Sequence, residues 1–231
     1  MVVSAQTIER RGERARLASW RGDDLVAHLS PTAGSPLSSD FIGCCVDWLW
    51  ERGYTSVVTS ALSSHECSGF FRAGFDVHEQ LDLLAHDLRS IPPVPRGLRR
   101  ARMSDWPNVL AVDTLAFDPF WRLHEGGLEE ALAATPRVRF RVAGAGQVAG
   151  YVIAGRGAGT GYLQRLAVHP DARHHGLGTG MVADALAWMR RWRVGRALVN
   201  TQRANAAALS LYRTLGFRVL PEGLQVLARD L

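Results

Sequence analysis

One ordered series of short segments occurs twice in this chain, and that repetition limits its architecture more than any single residue does. Gly53-Tyr54-Thr55-Ser56-Val57-Val58-Thr59 leads to Phe70-Phe71-Arg72-Ala73-Gly74-Phe75-Asp76-Val77, then to Leu83-Leu84-Ala85-His86-Asp87-Leu88. Further on, Gly195-Arg196-Ala197-Leu198-Val199-Asn200-Thr201 leads to Tyr212-Arg213-Thr214-Leu215-Gly216-Phe217-Arg218-Val219, then to Val226-Leu227-Ala228-Arg229-Asp230-Leu231. The register holds except for one inserted residue near the end. Chance supplies a shared Gly-Phe; it does not supply the whole series. The two halves read as divergent copies of one unit. Between them, Pro92-Pro93-Val94-Pro95 cannot continue a helix or a central strand, so residues 89–96 read as a stiff linker. The expected domains are therefore 1–88 and 97–231, and 231 residues suit one large or two small domains.

With 47% hydrophobic and 21% charged residues, extensive disorder is not expected. No apolar run approaches the ~18 residues that span a bilayer. No apolar stretch follows the basic residues of Met1 to Arg16, so a soluble, cytoplasmic protein with no membrane partner is expected. All 27 basic residues are arginine. Without lysine there is neither a Walker A phosphate loop nor a pyridoxal Schiff base. A net charge of +5 and a pI near 9.7 suit a polyanionic ligand, or equally a solvated basic surface. Cys44, Cys45 and Cys67 form no CxxC pair and are odd in number, so they read as buried small hydrophobes and not as a disulfide framework or zinc knuckle.

The second half reads coarsely as a short strand over Leu98 to Met103, then a helix capped by Ser104 and running to Phe117, with Pro107 in its first turn. Pro119 breaks that helix, and another covers Leu128 to Ala134. Strands follow at Val138 to Ala143, Val148 to Ala154 (around the turn Gly144-Ala145-Gly146) and Tyr162 to Val168. Met181, Val182, Ala185, Leu186, Met189 and Trp192 recur at helical spacing within a helix from Gly176 to Trp192. A strand at Ala197 to Thr201, a helix from Asn205 to Leu215 and a hairpin from Phe217 to Ala228 complete the chain. The fold class is α+β (mixed α/β), with a mixed, largely antiparallel sheet.

Chemistry concentrates in Leu166-Ala167-Val168-His169-Pro170-Asp171-Ala172-Arg173-His174-His175-Gly176-Leu177-Gly178-Thr179-Gly180, where a strand runs through a glycine-rich turn into an amphipathic helix. Small residues let the backbone approach a ligand, and a helix N-terminus offers free N–H groups and a positive dipole end, which suits a pyrophosphate. The spacing is not GxGxxG, so a dinucleotide fold is not the natural match. Taken alone, the glycines also fit a mere tight connection.

Context decides. Arg173-x-x-Gly176-x-Gly178, following Leu-Ala-Val-x-Pro, resembles motif A of the GNAT superfamily of N-acetyltransferases. Asn205-Ala206-Ala207-Ala208-Leu209-Ser210-Leu211-Tyr212-Arg213-Thr214-Leu215-Gly216-Phe217 resembles their C-terminal motif, and order and separation agree from about 97 to 231. The resemblance implies the GNAT fold, acetyl-CoA as acetyl donor and no metal. It implies that Leu166, Ala167 and Val168 present main-chain groups to the pantetheine arm and thioester. Arg173, His174, His175, Gly176, Leu177, Gly178, Thr179 and Gly180 would hold the pyrophosphate, Asn205 would bond the cofactor arm, and Tyr212 would protonate the departing thiolate. A fixed N–H on the strand stabilises the developing oxyanion, and a phenol is a workable proton donor. Without the paired motifs, Tyr212 would read as a core aromatic beside Ala208, Leu211 and Leu215.

The first half departs from the pattern. Phe70 stands at the register of Tyr212 and has no proton to give. Its loop, Ser30-Pro31-Thr32-Ala33-Gly34-Ser35-Pro36-Leu37, loses two N–H donors to proline. Residues 1–88 are thus expected to be a truncated, degenerate copy without its own cofactor site.

Within the superfamily, the second half is most similar to the ribosomal-protein N-terminal alanine acetyltransferases, including the aromatic stretch Phe117-Asp118-Pro119-Phe120-Trp121. Phe120 and Trp121 are expected at the lip of the acceptor site, although anchoring of the loop to the core fits as well. Those relatives carry a glutamate where this chain has Asn200, leaving Glu125, Glu129, His124 or His169 as possible bases through water. An α-amine, with a pKa near ~8, needs such help less than a lysine amine does. His169, His174 and His175 have no carboxylate or cysteine partner at a ligand spacing, so no metal is assigned. The expected activity is transfer of acetyl from acetyl-CoA to a primary amine, either a peptide N-terminus or a small molecule, by direct attack in a ternary complex. A non-catalytic acyl-CoA sensor or scaffold is the alternative. Nucleic-acid binding ranks third: arginines cluster at 10–16, 96–102 and 190–196, but no recognition motif accompanies them.

Overall fold

The computed structural model describes residues 5–32, 36–94, 97–144 and 146–231. Along the chain run β1 (Gln6–Arg10), β2 (Glu13–Ser19), β3 (Val26–Pro31), α1 (Ser39–Trp50), β4 (Ser56–Thr59), β5 (Leu62–Ser63), α2 (Ser64–Arg72) and β6 (Asp76–His86). Next come β7 (Leu98–Arg100), α3 (Trp106–Ala116), α4 (Glu125–Ala133), β8 (Arg137–Ala143), β9 (Gly150–Gly157) and β10 (Thr160–Val168). The last elements are α5 (Leu177–Arg191), β11 (Arg196–Gln202), α6 (Ala206–Thr214), β12 (Arg218–Val219) and β13 (Leu224–Asp230). Among the described residues no helix is long and apolar enough to cross a membrane.

The chain forms two compact units. The first comprises Met1–Leu83, Gln202–Ala204 and Leu220–Leu231, and the second Leu84–Thr201 and Asn205–Val219. In the first, β1, β2 and β3 pair antiparallel in succession, and β3 then pairs parallel with β4 across α1. Alternate residues Ala15 and Leu17 of β2 and Ala27 and Leu29 of β3 face Phe41, Ile42, Cys45 and Leu49 of α1, the period-two and helical spacings meeting in one core. Cys45 and Cys67 are buried free thiols, and burial pushes Cys45 up to about 12.

The second unit repeats that order. Strands β8, β9 and β10 pair antiparallel, and β10 pairs parallel with β11 across α5. Helices α5 and α6 share one core on one face, while α3 and α4 cover the other around Tyr151, Ile153 and Leu128. The repeated segments end their helices alike. Gly74 and Gly216 take φ of +82° and +91°, and the next N–H turns back, Phe75 to the Phe70 carbonyl (3.1 Å) and Phe217 to that of Tyr212 (3.0 Å).

Two expectations change. No hairpin forms between Phe217 and Ala228: β12 pairs with Leu84 and Ala85 of β6, whereas β13 belongs to the first unit. There it pairs antiparallel with β4 on one edge and β6 on the other, sets Leu227 in the first core, and donates the Leu227 N–H to Thr59 Oγ1 (2.9 Å). Alternation marks β13 as a strand; which open edge receives it is a non-local matter. The first compact unit therefore takes in Leu220–Leu231 from the end of the chain. Helix α3 starts at Trp106 with Asp105 at its cap, Ser104 lying in the preceding 3₁₀ turn. Asp105 takes two bonds from Arg99 (2.6 and 2.7 Å), which hold its carboxyl down to about 2. Pro95, Arg96 and Ala145, within the expected linker and turn, lie outside the described residues.

Candidate active site

Strand β10 runs along β9 to the pair Val168↔Gly150, with a register shift between Leu163 and Arg165 that leaves Gln164 as an extra residue. Its parallel pairing with β11 covers only Thr160–Tyr162 against Arg196–Leu198. A bulge bends and twists its strand. From that point Leu166, Ala167 and Val168 stay paired to β9 but carry no ladder pairing toward β11. The strand thus offers main-chain groups along one open edge.

A short 3₁₀ turn, Pro170–Ala172, leads to α5 through two left-handed residues, His174 (φ +64°) and Gly176 (φ +76°). Glycine adopts that conformation freely, and here it is the N-cap. Having no side chain, Gly176 caps nothing, and the first helical bond is Gly180 N–H to the Gly176 carbonyl (3.0 Å). The N–H groups of Leu177, Gly178 and Thr179 have no acceptor four residues back and point out of a positive dipole end. Arg173, His174, His175 and Gly176 are exposed, the next three half-buried and Gly180 buried; His175 Nδ1 pairs with the Arg173 carbonyl at 2.7 Å.

Helix α6 supplies the third wall. A Cβ built on Gly178 would lie 3.4 Å from Leu211 and 3.8 Å from Val168, so the end of β10, the first turn of α5 and α6 converge on one spot. Beside Leu211, Tyr212 is 6% exposed and its ring centroid lies 5.5 Å from that of Phe217. Burial raises its pKa, so the phenol keeps its proton throughout the neutral range. Asn205 caps α6, its Oδ1 accepting from Ala208 N–H at 3.1 Å, which leaves its Nδ2 as the group for a ligand.

The matching places in the first unit differ in each respect. Strands β3 and β4 stay paired through Leu29↔Thr59 without a shift. At the start of α1, Ser38 Oγ accepts from Phe41 N–H (3.2 Å), and the Glu13 carboxylate accepts from Ser38 Oγ–H (2.8 Å) and Ser38 N–H. An internal anion thus sits at the end of this helix. Phe70 is fully buried, edge-on to Phe75 at 5.2 Å. Ala33, Gly34 and Ser35 of its loop lie outside the described residues.

The loop after α3 is tied down by a buried network that sequence reasoning missed. Arg165, 9% exposed, donates twice to the fully buried Asp113 (2.8 and 2.9 Å) and once to the Trp121 carbonyl (2.6 Å). Its guanidinium lies 3.5 Å from the Phe117 ring centroid. Asp113 also accepts from Leu123 N–H (2.7 Å) and from the Tyr151 hydroxyl. Phe120 and Trp121 are half-buried and edge-on at 5.0 Å. Anchoring and lip are therefore compatible for this loop. The available signal was an arginine inside the apolar run Tyr162 to Val168, where an inward charge demands a partner.

Asn200 lies exposed on β11; His124, Glu125 and Glu129 lie exposed around α4. His169 is half-buried, its Nδ1 3.7 Å from Asp171. Among the described residues no cluster of His, Cys, Asp or Glu could hold a metal ion.

The family model described as "Acetyltransferase (GNAT) family" matches residues 97–217, just over half of the chain. No curated protein matches the sequence. Among solved structures, a tandem GNAT protein from the clavulanic acid biosynthesis pathway superposes with a TM-score of 0.67 at 14% identity, over 97% of this chain and 81% of its own. A GCN5-related N-acetyltransferase from Kribbella flavida gives 0.63 at 14%, over 97% and 89%. The ribosomal-protein-S18-alanine N-acetyltransferase of Escherichia coli gives 0.49 at 19%, over 58% and 92%. At such identities the first two speak for the fold alone.

Proposed function

The chain belongs to the GNAT acetyltransferase family, and from that premise we propose that its second unit transfers the acetyl group of acetyl-CoA to a primary amine by direct attack in a ternary complex. One observation carries the reading: β10 leaves β11, and its end, the uncapped start of α5 and Leu211 of α6, the neighbour of Tyr212, converge. The open edge of Leu166 to Val168 suits the amide groups of a pantetheine arm, and its N–H groups stand ready for the thioester oxygen as charge develops there. The N–H groups of Leu177 to Thr179, with Arg173, His174 and His175 at the rim, suit a pyrophosphate. Asn205 Nδ2 donates to the arm.

The acceptor amine attacks the thioester carbonyl, the C–S bond breaks, and the sulfur leaves as thiolate. Tyr212 O–H gives it a proton, and the proton released by the amine, passed through solvent, restores the phenol. A phenol whose pKa burial has raised is a slow acid toward bulk water but stays fully loaded for this transfer. Trp121, whose carbonyl Arg165 holds, and Phe120, edge-on to it, flank the acceptor. The acceptor is a peptide N-terminus or a small amine, since an α-amine is partly neutral at pH 7 without a dedicated base.

Asn200, which cannot take a proton, favours a second reading, an acyl-CoA sensor or scaffold. Thiol release from acetyl-CoA, followed over a panel of peptides, amino acids, polyamines and aminoglycosides, separates the two. Tyr212→Phe is expected to lower turnover about a hundredfold or more with acetyl-CoA affinity unchanged. Unchanged turnover removes the acid role; tight acetyl-CoA binding without turnover on any amine favours the sensor.

A further inference from the structure

One face of the second unit carries a concentration of positive charge that acetyl transfer does not use. Of the residues of β8 that point to the α5 side, three are arginines, Arg137, Arg139 and Arg141, about 7 Å apart at the strand rise. Pairing continues the row across neighbouring strands, since Arg141 stands opposite Arg100 of β7 and Arg137 opposite Arg156 of β9. Like charges directly opposite each other cost stability. This face bears two such pairs.

Among the described residues a single acid offsets them. Asp184 of α5 takes two bonds from Arg139 (both 2.7 Å) and stands 3.8 Å from Arg141. Arg100 and Arg137 are exposed and form no ion pair among the described residues. Burial and the charges of Arg139 and Arg100 press on Arg141, lowering its pKa despite Asp184. At the far end, Arg156 lies 4.5 Å from the ring of Trp192 and 5.5 Å from that of Trp188, with its Nε buried and unpartnered. Trp192 is itself 55% exposed.

We propose that this arginine ladder and the Trp192 ring form a binding surface for single-stranded nucleic acid. A row of guanidinium groups with one acid among them follows a phosphate backbone, and an exposed indole backed by an arginine offers a stacking platform for a base. The surface needs no recognition helix, because such binding reads backbone and base faces and not groove edges. An acidic polypeptide would meet the charge but leave the indole without a flat partner.

Fluorescence anisotropy of the full-length protein with a labelled oligouridylate of about 20 nucleotides tests this. Four phosphate contacts, at Arg100, Arg137, Arg141 and Arg156, give a log–log salt slope of about −2.8, so raising salt fourfold weakens binding roughly 50-fold. In the double variant Arg100→Ala/Arg137→Ala the slope halves and the same step costs about sevenfold. Trp192→Ala weakens binding about fivefold or more at an unchanged slope, and Trp192→Phe restores most of it. Unfolding midpoints of the variants, measured alongside, confirm intact folding. A slope unchanged in the double variant, full affinity in Trp192→Ala, or displacement of the RNA by polyglutamate as readily as by unlabelled RNA would overturn the proposal. None of these readouts involves acetyl-CoA, so the result is independent of the acetyltransferase reading.

Discussion

Asp113 offers the sharpest test of how the second unit holds its site loop. The carboxylate is fully buried and accepts from Arg165 twice, from Leu123 N–H and from the Tyr151 hydroxyl. In Asp113→Ala the Arg165 side chain, 8% exposed, is left as an unpaired buried cation. Breaking such a pair from one side costs about 3–5 kcal/mol, because the remaining charge keeps its desolvation penalty and loses its attraction. For a chain of this size that lowers the melting temperature by roughly 6–20 °C. Arg165→Met orphans the carboxylate instead and is expected to cost a similar amount. The double variant removes both charges, so its loss falls short of the sum by about 2–3 kcal/mol; it still loses the anchors to Leu123 N–H and the Trp121 carbonyl. Chemical denaturation of the four proteins gives the cycle. Single losses below about 1 kcal/mol, or additivity to within about 0.5 kcal/mol, would refute the argument.

Further outcomes follow from the same geometry. Gly178→Ala places its methyl at ordinary contact distance from Leu211 and Val168 and should leave folding unchanged, whereas Gly178→Glu adds an anion to the phosphate cradle and should abolish acetyl-CoA binding in calorimetry; normal binding by the glutamate variant would mean the loop is misassigned. The same titration should return one site per chain, since β3 and β4 stay paired and Glu13 and Ser38 occupy the start of α1; two sites would sink the reading of the first unit as a degenerate copy. His28 of β3 is held neutral down to about pH 4, chiefly by burial and then by Arg21 and Arg16. Its pKa is about 6.5 when unfolded, so the unfolded chain binds the extra proton, and stability present above pH 6.5 should fall as pH drops toward 4. Urea midpoints over that range should lose this slope in His28→Phe; an unaltered slope would place the titration elsewhere.

Much of the site could be read in the residues. Gly216 had to end a helix and Asn205 to start one, because the motif supplies its own turn chemistry locally, and the structure gives both their expected places. The strand-to-helix turn at 169–180 was legible for the same reason. The α3 cap was misjudged by one residue, since Ser104 and Asp105 both suit a cap, and the choice fell to Arg99, six positions away from Asp105. The Asp113–Arg165 pair spans 52 positions and belongs to no local pattern; only the lone inward arginine hinted at it.

The sequence by itself determined the repeat, the class of fold, the glycine-capped helix and the absence of lysine chemistry. These are matters of composition, periodicity and conformational freedom within a few residues. Tertiary structure alone decided that β13 completes the first unit between β4 and β6, that the α1 end is filled by Glu13, and that, among the described residues, five arginines share one face with a single acid. A strand carries the same alternation whichever edge it joins, and a charge acquires its partners only when distant segments meet.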